Sequence, residues 1–129
     1  MKLQVRKLQE SDWDFLPDWW SSNKQNKSIE NLRDFLPGSF QIGDYEEKRS
    51  GLGGFVVCKE NDPIAACWLI ITNSKCAIST DTIFDLSYKD EDKEKALNLL
   101  INFVNNFAKE LGYDYVNKLT KNNKLLKKL

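Results

Sequence analysis

The chain has 129 residues, a length typical of one domain, and its 41% hydrophobic residues are enough to form a core. Lys and Arg together number 19, as do Asp and Glu, so the basic character typical of nucleic-acid-binding domains is missing. No apolar run reaches the length of about 18 residues that a transmembrane helix needs, and the first residues lack the apolar segment of a signal peptide. We therefore expect a soluble cytoplasmic protein whose partners include neither nucleic acid nor a membrane.

The residue types present restrict the chemistry. The chain contains no histidine, which excludes Ser-His and Cys-His catalysis and histidine-ligated metals. Cys58, Cys67 and Cys76 lie in apolar, strand-like segments, and their spacing matches no metal-binding pattern. We expect them to be buried, reduced thiols, and we expect no metal site.

The first half of the chain predicts a strand, two short helices and a β-hairpin. Alternating apolar and polar residues indicate the first strand, and runs of β-branched and apolar residues indicate the hairpin strands. In chain order the segments are a strand at Leu3–Leu8, helices at Asp12–Trp20 and Ile29–Leu36, and strands at Gly54–Glu60 and Ile64–Thr72, with a turn at Asn61–Pro63 between the last two. The aromatic residues Trp13, Phe15, Trp19 and Trp20 of the first helix either pack in the core or line a cleft.

The second half predicts a strand, one long amphipathic helix and a further strand. Apolar residues recur at spacings of three and four on one helix face, at Leu97, Leu100, Ile101, Val104, Phe107, Ala108 and Leu111. Gly112 is placed to end that helix. The segments are a strand at Cys76–Leu86, a charged turn at Tyr88–Lys95, the helix at Ala96–Leu111, a strand at Tyr113–Leu119 and a short terminal helix capped by Thr120 or Asn122.

This order of elements defines the fold class. The three strands joined by tight turns are expected to pair antiparallel, whereas the strands on either side of the long helix form a parallel βαβ crossover. We therefore predict an α/β (α+β) domain with a mixed, mostly antiparallel sheet, a central parallel crossover and helices on both faces.

The junction between the Cys76–Leu86 strand and the long helix is a candidate anion site. The first amides of a helix have no intrahelical partner and point at whatever lies beyond the helix end. Lys89 and Lys93 would add positive charge there. A second interpretation is purely structural, because acidic residues such as Asp90 and Asp92 favourably oppose the helix dipole.

The same junction resembles the GNAT superfamily of acetyl-CoA-dependent N-acyltransferases, and most closely the short GNAT-like proteins of tailed phages. Tyr88, Ala96 and Leu97 align without a gap to the segment Tyr-Arg-Gly-x-Gly-x-Gly-x-Ala-Leu, whose backbone binds the CoA pyrophosphate. Lys89 takes the place of the usual Arg or Gln. Asp90, Asp92 and Glu94 take the places of the three usual glycines.

The resemblance implies a set of site residues. Acetyl-CoA would be the cofactor, held at Ile83, Phe84, Leu86, Lys89, Lys93, Glu94, Lys95 and Asn122. Asp81 or Asp85 would accept the proton of the attacking amine. The tyrosine that commonly protonates the CoA thiolate has no counterpart, so that role would fall to water, to Tyr113 or Tyr115, or to no group at all.

Two functions follow from the resemblance. The first is transfer of an acetyl group to the primary amine of a small molecule or peptide, by direct attack on the thioester. The second is a GNAT-fold binding or accessory protein without catalysis. Typical members continue past the last helix into a closing hairpin, which this sequence does not show. We therefore expect an exposed sheet edge at Tyr113–Leu119, at which two copies would form a homodimer.

Overall fold

The computed structural model describes residues 2–23, 32–38, 51–119 and 124–128. The helices are a 3-10 helix at Glu10–Asp14, α1 at Leu16–Ser22, α2 at Leu32–Phe35 and α3 at Asp90–Glu110. The strands are β1 at Leu3–Lys7, β2 at Gly54–Lys59, β3 at Asp62–Ile70, β4 at Cys76–Ser79, β5 at Ile83–Phe84, β6 at Tyr115–Leu119 and β7 at Lys124–Lys128. Of the helices described, none combines the length and apolarity that crossing a bilayer requires.

The described strands form one mixed sheet. Its order is β1-β2-β3-β4-β6-β7, and β5 pairs with β3 beside β4. All pairs are antiparallel except β4 and β6, which are parallel and are connected through α3. The predicted fold class, with its central βαβ crossover, is therefore confirmed.

Both faces of the sheet are covered, because buried residues alternate along the central strands. In β2, Phe55 and Val57 pack in a cluster with α3, whereas Val56 and Cys58 pack on the opposite face with α1 and Leu36. Trp68 of β3 is fully buried in this second cluster. Helices thus lie on both faces, as the sequence predicts.

The long helix begins six residues before the predicted start at Ala96. The charged segment thought to be a turn instead forms its first two turns, and Lys89 is the N-cap residue. Acidic residues there oppose the helix dipole, and the pairs Lys93–Asp90 and Lys95–Glu91 join residues three and four apart, both at 3.2 Å. At the other end Gly112 has a φ of +97°, which confirms it as the residue that ends the helix.

The C-terminal segment forms a strand, so the predicted terminal helix is wrong. β7 pairs antiparallel with β6 along its full length, from Tyr115↔Lys128 to Leu119↔Lys124. An isolated helix of so few residues is marginal in water, whereas the strand satisfies main-chain groups that β6 would otherwise expose. The sheet edge is therefore β7 and not the predicted Tyr113–Leu119 strand. Thr120 and Asn122 lie outside the described residues.

Other boundaries differ in detail. The predicted helix at Asp12–Trp20 is divided at Phe15, with Pro17 in the first turn of α1, where its missing N–H costs no hydrogen bond. The hairpin turns at Glu60–Asn61 instead of Asn61–Pro63. Of the predicted Ile29–Leu36 helix, Leu32–Phe35 is helical, and residues 29–31 lie outside the described range.

Candidate functional site

The predicted Cys76–Leu86 strand is broken by a β-bulge, which shapes the centre of the sheet. Ser79 of β4 lies opposite Leu69, and Ile83 of β5 lies opposite Ala66, so the strand carries one more residue than its partner between these points. Thr80 lies in the bulge, where its Oγ1 accepts a hydrogen bond of 2.9 Å from the Trp68 N–H. β4 and β5 therefore pair with β3 as two separate strands, offset by one residue.

Beyond the bulge two neighbouring strands separate. β4 pairs with β6 as far as Ser79↔Lys118. Among the described strands, β5 then pairs with β3, and the end of β6 pairs with β7. A gap therefore opens between β5 and β6, beneath α3.

A cavity of about 240 Å³ lies beneath α3, at the point where β4 and β6 stop pairing. It is lined from the sheet by Cys67, Ser79, Thr82, Val116 and Lys118, and from α3 by Ile101, Asn102, Val104 and Asn105. Asn102 is exposed, so the cavity reaches the surface beside the helix. Because Ile101 lies eleven residues after Asp90, the cavity begins roughly 16 Å along α3 from its N-terminus.

The thiol in this cavity is protonated at neutral pH. Burial raises the pKa of Cys67 to about 12, although the Lys118 charge and a hydrogen bond with Ser79 act in the opposite direction. The Asp81 charge adds to the increase. Cys67 is therefore a poor nucleophile, since the thiolate is the reactive form.

The two predicted bases lie in different surroundings. Asp81 is half-buried in the bulge, next to Thr82 of the cavity lining, and its Oδ1 accepts the Thr82 N–H at 3.0 Å. Asp85 follows β5, and its Oδ1 accepts hydrogen bonds from the Ser87 N–H at 3.0 Å and the Ser87 hydroxyl at 2.7 Å. Asp81 is therefore next to the cavity, whereas Asp85 shapes the turn that leads to α3.

The first amides of α3 have no intrahelical partner, and the N-cap residue Lys89 makes no side-chain hydrogen bond to them. The predicted phosphate-binding lysines are largely engaged, however, since Lys93 pairs with Asp90 and Lys95 with Glu91. Lys89 and Glu94 are exposed. The start of α3 thus offers main-chain N–H donors and the exposed Lys89, next to a first turn that is rich in acidic residues.

The backbone of β5 already has a partner. The side-chain amide of Asn23 donates to the Phe84 carbonyl at 2.8 Å and accepts from the Phe84 N–H at 3.0 Å. Ile83 is buried on the α1 face and Leu86 is exposed. Asn23 lies in a polar run that predicts a loop, and nothing in that run indicates its contact with Phe84. The polar residues of Ser79–Thr82, in contrast, could have indicated the bulge.

The remaining candidates are structural or lie elsewhere. Trp13 and Trp20 pack against the buried Trp68 at ring-centroid distances of 6.1 and 6.2 Å, which agrees with the core interpretation. Tyr113 binds Thr72 at the end of the sheet opposite the start of α3. Asn122 lies outside the described residues.

We compared the chain with family models, with curated proteins and with solved structures. No family model matches the chain, and no curated protein matches it. Among solved structures, it resembles an aminoglycoside acetyltransferase from an uncultured soil metagenomic sample, with a TM-score of 0.58 and 20% identity over 93% of this chain and 78% of that one. It also resembles the PaiA N-acetyltransferase of Thermoplasma acidophilum in complex with coenzyme A, with a TM-score of 0.59 and 14% identity over 95% and 82% of the two chains.

A third neighbour is larger. N-acetylglutamate synthase of Neisseria gonorrhoeae, complexed with coenzyme A and L-arginine, gives a TM-score of 0.65 at 11% identity over 93% of this chain but 24% of the synthase. At these identities the likeness shows the fold, and the chain therefore has the GNAT fold that its sequence predicts.

Proposed function

We propose that this protein binds an acyl-CoA thioester, acetyl-CoA in the simplest case, and transfers the acyl group to a primary amine. The observation that carries the proposal is the cavity beneath α3, lined by Ser79, Thr82 and Lys118. The Phe84 N–H and carbonyl, which Asn23 bonds in this structure, could hold an extended, amide-containing arm once Asn23 is displaced. That two solved neighbours contain coenzyme A supports the choice of ligand.

The described residues suggest a division of roles. The first amides of α3, with Lys89, would bind the pyrophosphate, and the backbone of Phe84 would bind the arm. The amine nitrogen attacks the thioester carbonyl carbon, the amide bond forms and the carbon–sulfur bond breaks. Asp81 accepts the proton from the amine. The thiolate is protonated by water, because a thiol is acidic enough to leave without a dedicated acid.

Calorimetric titration with acetyl-CoA tests this proposal. We expect micromolar binding by the wild-type protein and at least tenfold weaker binding by Asn105→Phe, whose side chain would fill the cavity mouth. Asn106→Phe is the matched control, because Asn106 is the next residue of α3 but is exposed and does not line the cavity. No binding by folded wild-type protein at millimolar acetyl-CoA would contradict the proposal, as would equal effects of the two variants.

A second candidate is a GNAT-fold binding protein that does not catalyse transfer. The acidic first turn of α3 favours it, because Asp90, Glu91 and Asp92 repel a diphosphate. Acetyl-CoA binding without thiol release in the presence of an amine panel would support it. Likeness to phage proteins and a homodimer remain predictions, and the dimer would now pair through β7. Light scattering that shows only monomer would exclude it.

A further inference from the structure

The amide of Asn23 makes the contacts of a neighbouring strand. Asn23 follows α1 directly and lies 61 residues before Phe84, yet it bonds both polar backbone groups of Phe84, at 2.8 and 3.0 Å. The same nitrogen donates to the Trp19 carbonyl at 2.7 Å, which ties the Asn23 side chain to the last turn of α1. The end of α1 is thereby attached to β5.

The direction of these bonds identifies the edge that they occupy. Ile83 pairs with Ala66 of β3, and the Asp85 N–H donates to the Ile64 carbonyl at 2.8 Å. Polar groups of successive residues in a strand point to opposite sides, so the N–H and carbonyl of Phe84 point away from β3. Asn23 therefore takes the edge of β5 that the proposed function assigns to the thioester arm.

The Asn23 side chain and the arm of coenzyme A cannot bind the Phe84 backbone at the same time. The arm of coenzyme A contains secondary amides, each with one donor and one acceptor, and a primary carboxamide presents the same pair. The Phe84 N–H can donate fully to one acceptor at a time. An arm amide that binds Phe84 must therefore displace the Asn23 side chain.

We propose that Asn23 is a latch that competes with the thioester arm for Phe84, so that arm binding requires the end of α1 to detach from β5. This inference rests on the proposed function. Asn23 is half-buried at the end of a seven-residue helix that is held by Leu16 and Trp19. Its release therefore leaves the apolar anchors of α1 in place. The latch lowers apparent affinity for the arm because the competent state is only a fraction of the population.

Affinity measurements on Asn23→Ala test the latch. Ser21→Ala is the control, because Ser21 is exposed on the same helix. We expect Asn23→Ala to bind coenzyme A between about fivefold and a hundredfold more tightly than wild type, the range that two modest hydrogen bonds allow. Adenosine 3′,5′-bisphosphate, which lacks the arm, should bind both proteins equally.

The other outcomes separate the latch from the proposed function. Equal coenzyme A affinities in wild type and Asn23→Ala would overturn the latch and leave acyl-CoA binding intact. Weaker binding by a folded Asn23→Ala would also overturn it, since Asn23 would then support the site. No binding by either folded protein would overturn the proposed function and the latch together.

A measurement on wild-type protein keeps the inference testable if Asn23→Ala does not fold. Nuclear magnetic resonance can follow hydrogen exchange of the Asn23 side-chain amide and of the Phe84 backbone amide. With saturating coenzyme A we expect the Asn23 protons to exchange faster while the Phe84 proton stays protected by the arm. Unchanged protection of Asn23 at saturation would overturn the latch.

Discussion

Tyr113 and Thr72 are joined by two hydrogen bonds that close one end of the sheet. The Tyr113 hydroxyl donates to the Thr72 carbonyl at 2.5 Å and accepts from the Thr72 N–H at 2.9 Å. Thr72 follows β3 and Tyr113 precedes β6, so the contact links the loops at the end where β4 and β6 begin. The Tyr113 hydroxyl is thus held by the Thr72 backbone, and we expect its role to be structural.

Tyr113→Phe is expected to destabilise the fold without affecting the site. The change leaves the Thr72 N–H and carbonyl without their partner, at a cost of about 1–2 kcal/mol in the free energy of unfolding. Urea denaturation measures the loss, and Tyr115→Phe, two residues along β6, is the control. A Tyr113→Phe protein of normal stability that loses acyl transfer would contradict this assignment.

Two arginine–carboxylate pairs of similar geometry should differ in importance. Arg6 binds both oxygens of Asp12 at 2.8 Å, and Asp12 is 2% exposed. Arg33 binds both oxygens of Glu10 at 2.6 and 2.8 Å, but the Glu10 side chain is 71% exposed. Solvent screens the second pair, whereas the first is held in place next to the core.

We therefore expect Asp12→Asn to lower the free energy of unfolding by about 3 kcal/mol, because it leaves the Arg6 charge without a counterion and weakens the bond from the Gln9 N–H. Glu10→Gln, the matched control, should change stability little. Thermal and urea denaturation give both values. Equal losses in the two variants would show that burial does not distinguish these pairs.

Periodicity predicted the parts of the fold that depend on apolar burial. The stripe through Leu100, Val104 and Ala108 is buried as the 3/4 spacing requires, and the apolar runs that predict β2 and β3 supply buried residues to both faces of the sheet. Leu111, which belongs to the predicted face, is instead 46% exposed, and it follows Glu110, the last residue of α3. Local patterns therefore located the core but not its limits.

Contacts between distant segments were not predictable in this way. The bond between Asn23 and Phe84 depends on how α1 packs against the sheet, and no local pattern reports it. β7 forms because β6 offers an edge, and that pairing overrides the helix propensity of a Leu- and Lys-rich segment. The cavity likewise depends on the bulge at Ser79–Thr82, which shifts register by one residue.

Acidic residues at the start of α3 should limit affinity for coenzyme A. Asp90 lies in the first turn and pairs with Lys93 at 3.2 Å. Asp90→Asn removes one negative charge beside the first amides of α3 and frees that lysine. We expect about two- to fivefold tighter coenzyme A binding, with a larger effect at low salt.

Glu110→Gln is the control for that change, because it removes an acid from the opposite end of the same helix. Calorimetry at two salt concentrations separates the effects. If Asp90→Asn and Glu110→Gln alter affinity equally, the start of α3 is not where the pyrophosphate binds.

The buried thiol of Cys67 should make stability depend on pH in the alkaline range. Its pKa is raised by burial from an ordinary value near 9 to about 12 in the folded protein. The unfolded chain therefore loses this proton first, so the contribution of Cys67 to stability is complete below about pH 9 and is lost as pH rises toward 12.

Cys67→Ala is the reference protein. The pH dependence that comes from all other titrating groups is common to it and to the wild type, so it cancels in the difference between their free energies of unfolding. We expect the difference in free energy of unfolding between them to shift against the wild type between pH 8 and pH 10.5, measured by urea denaturation under reducing conditions. A difference that stays constant over this range would mean that the Cys67 thiol is not protected from ionisation in the fold.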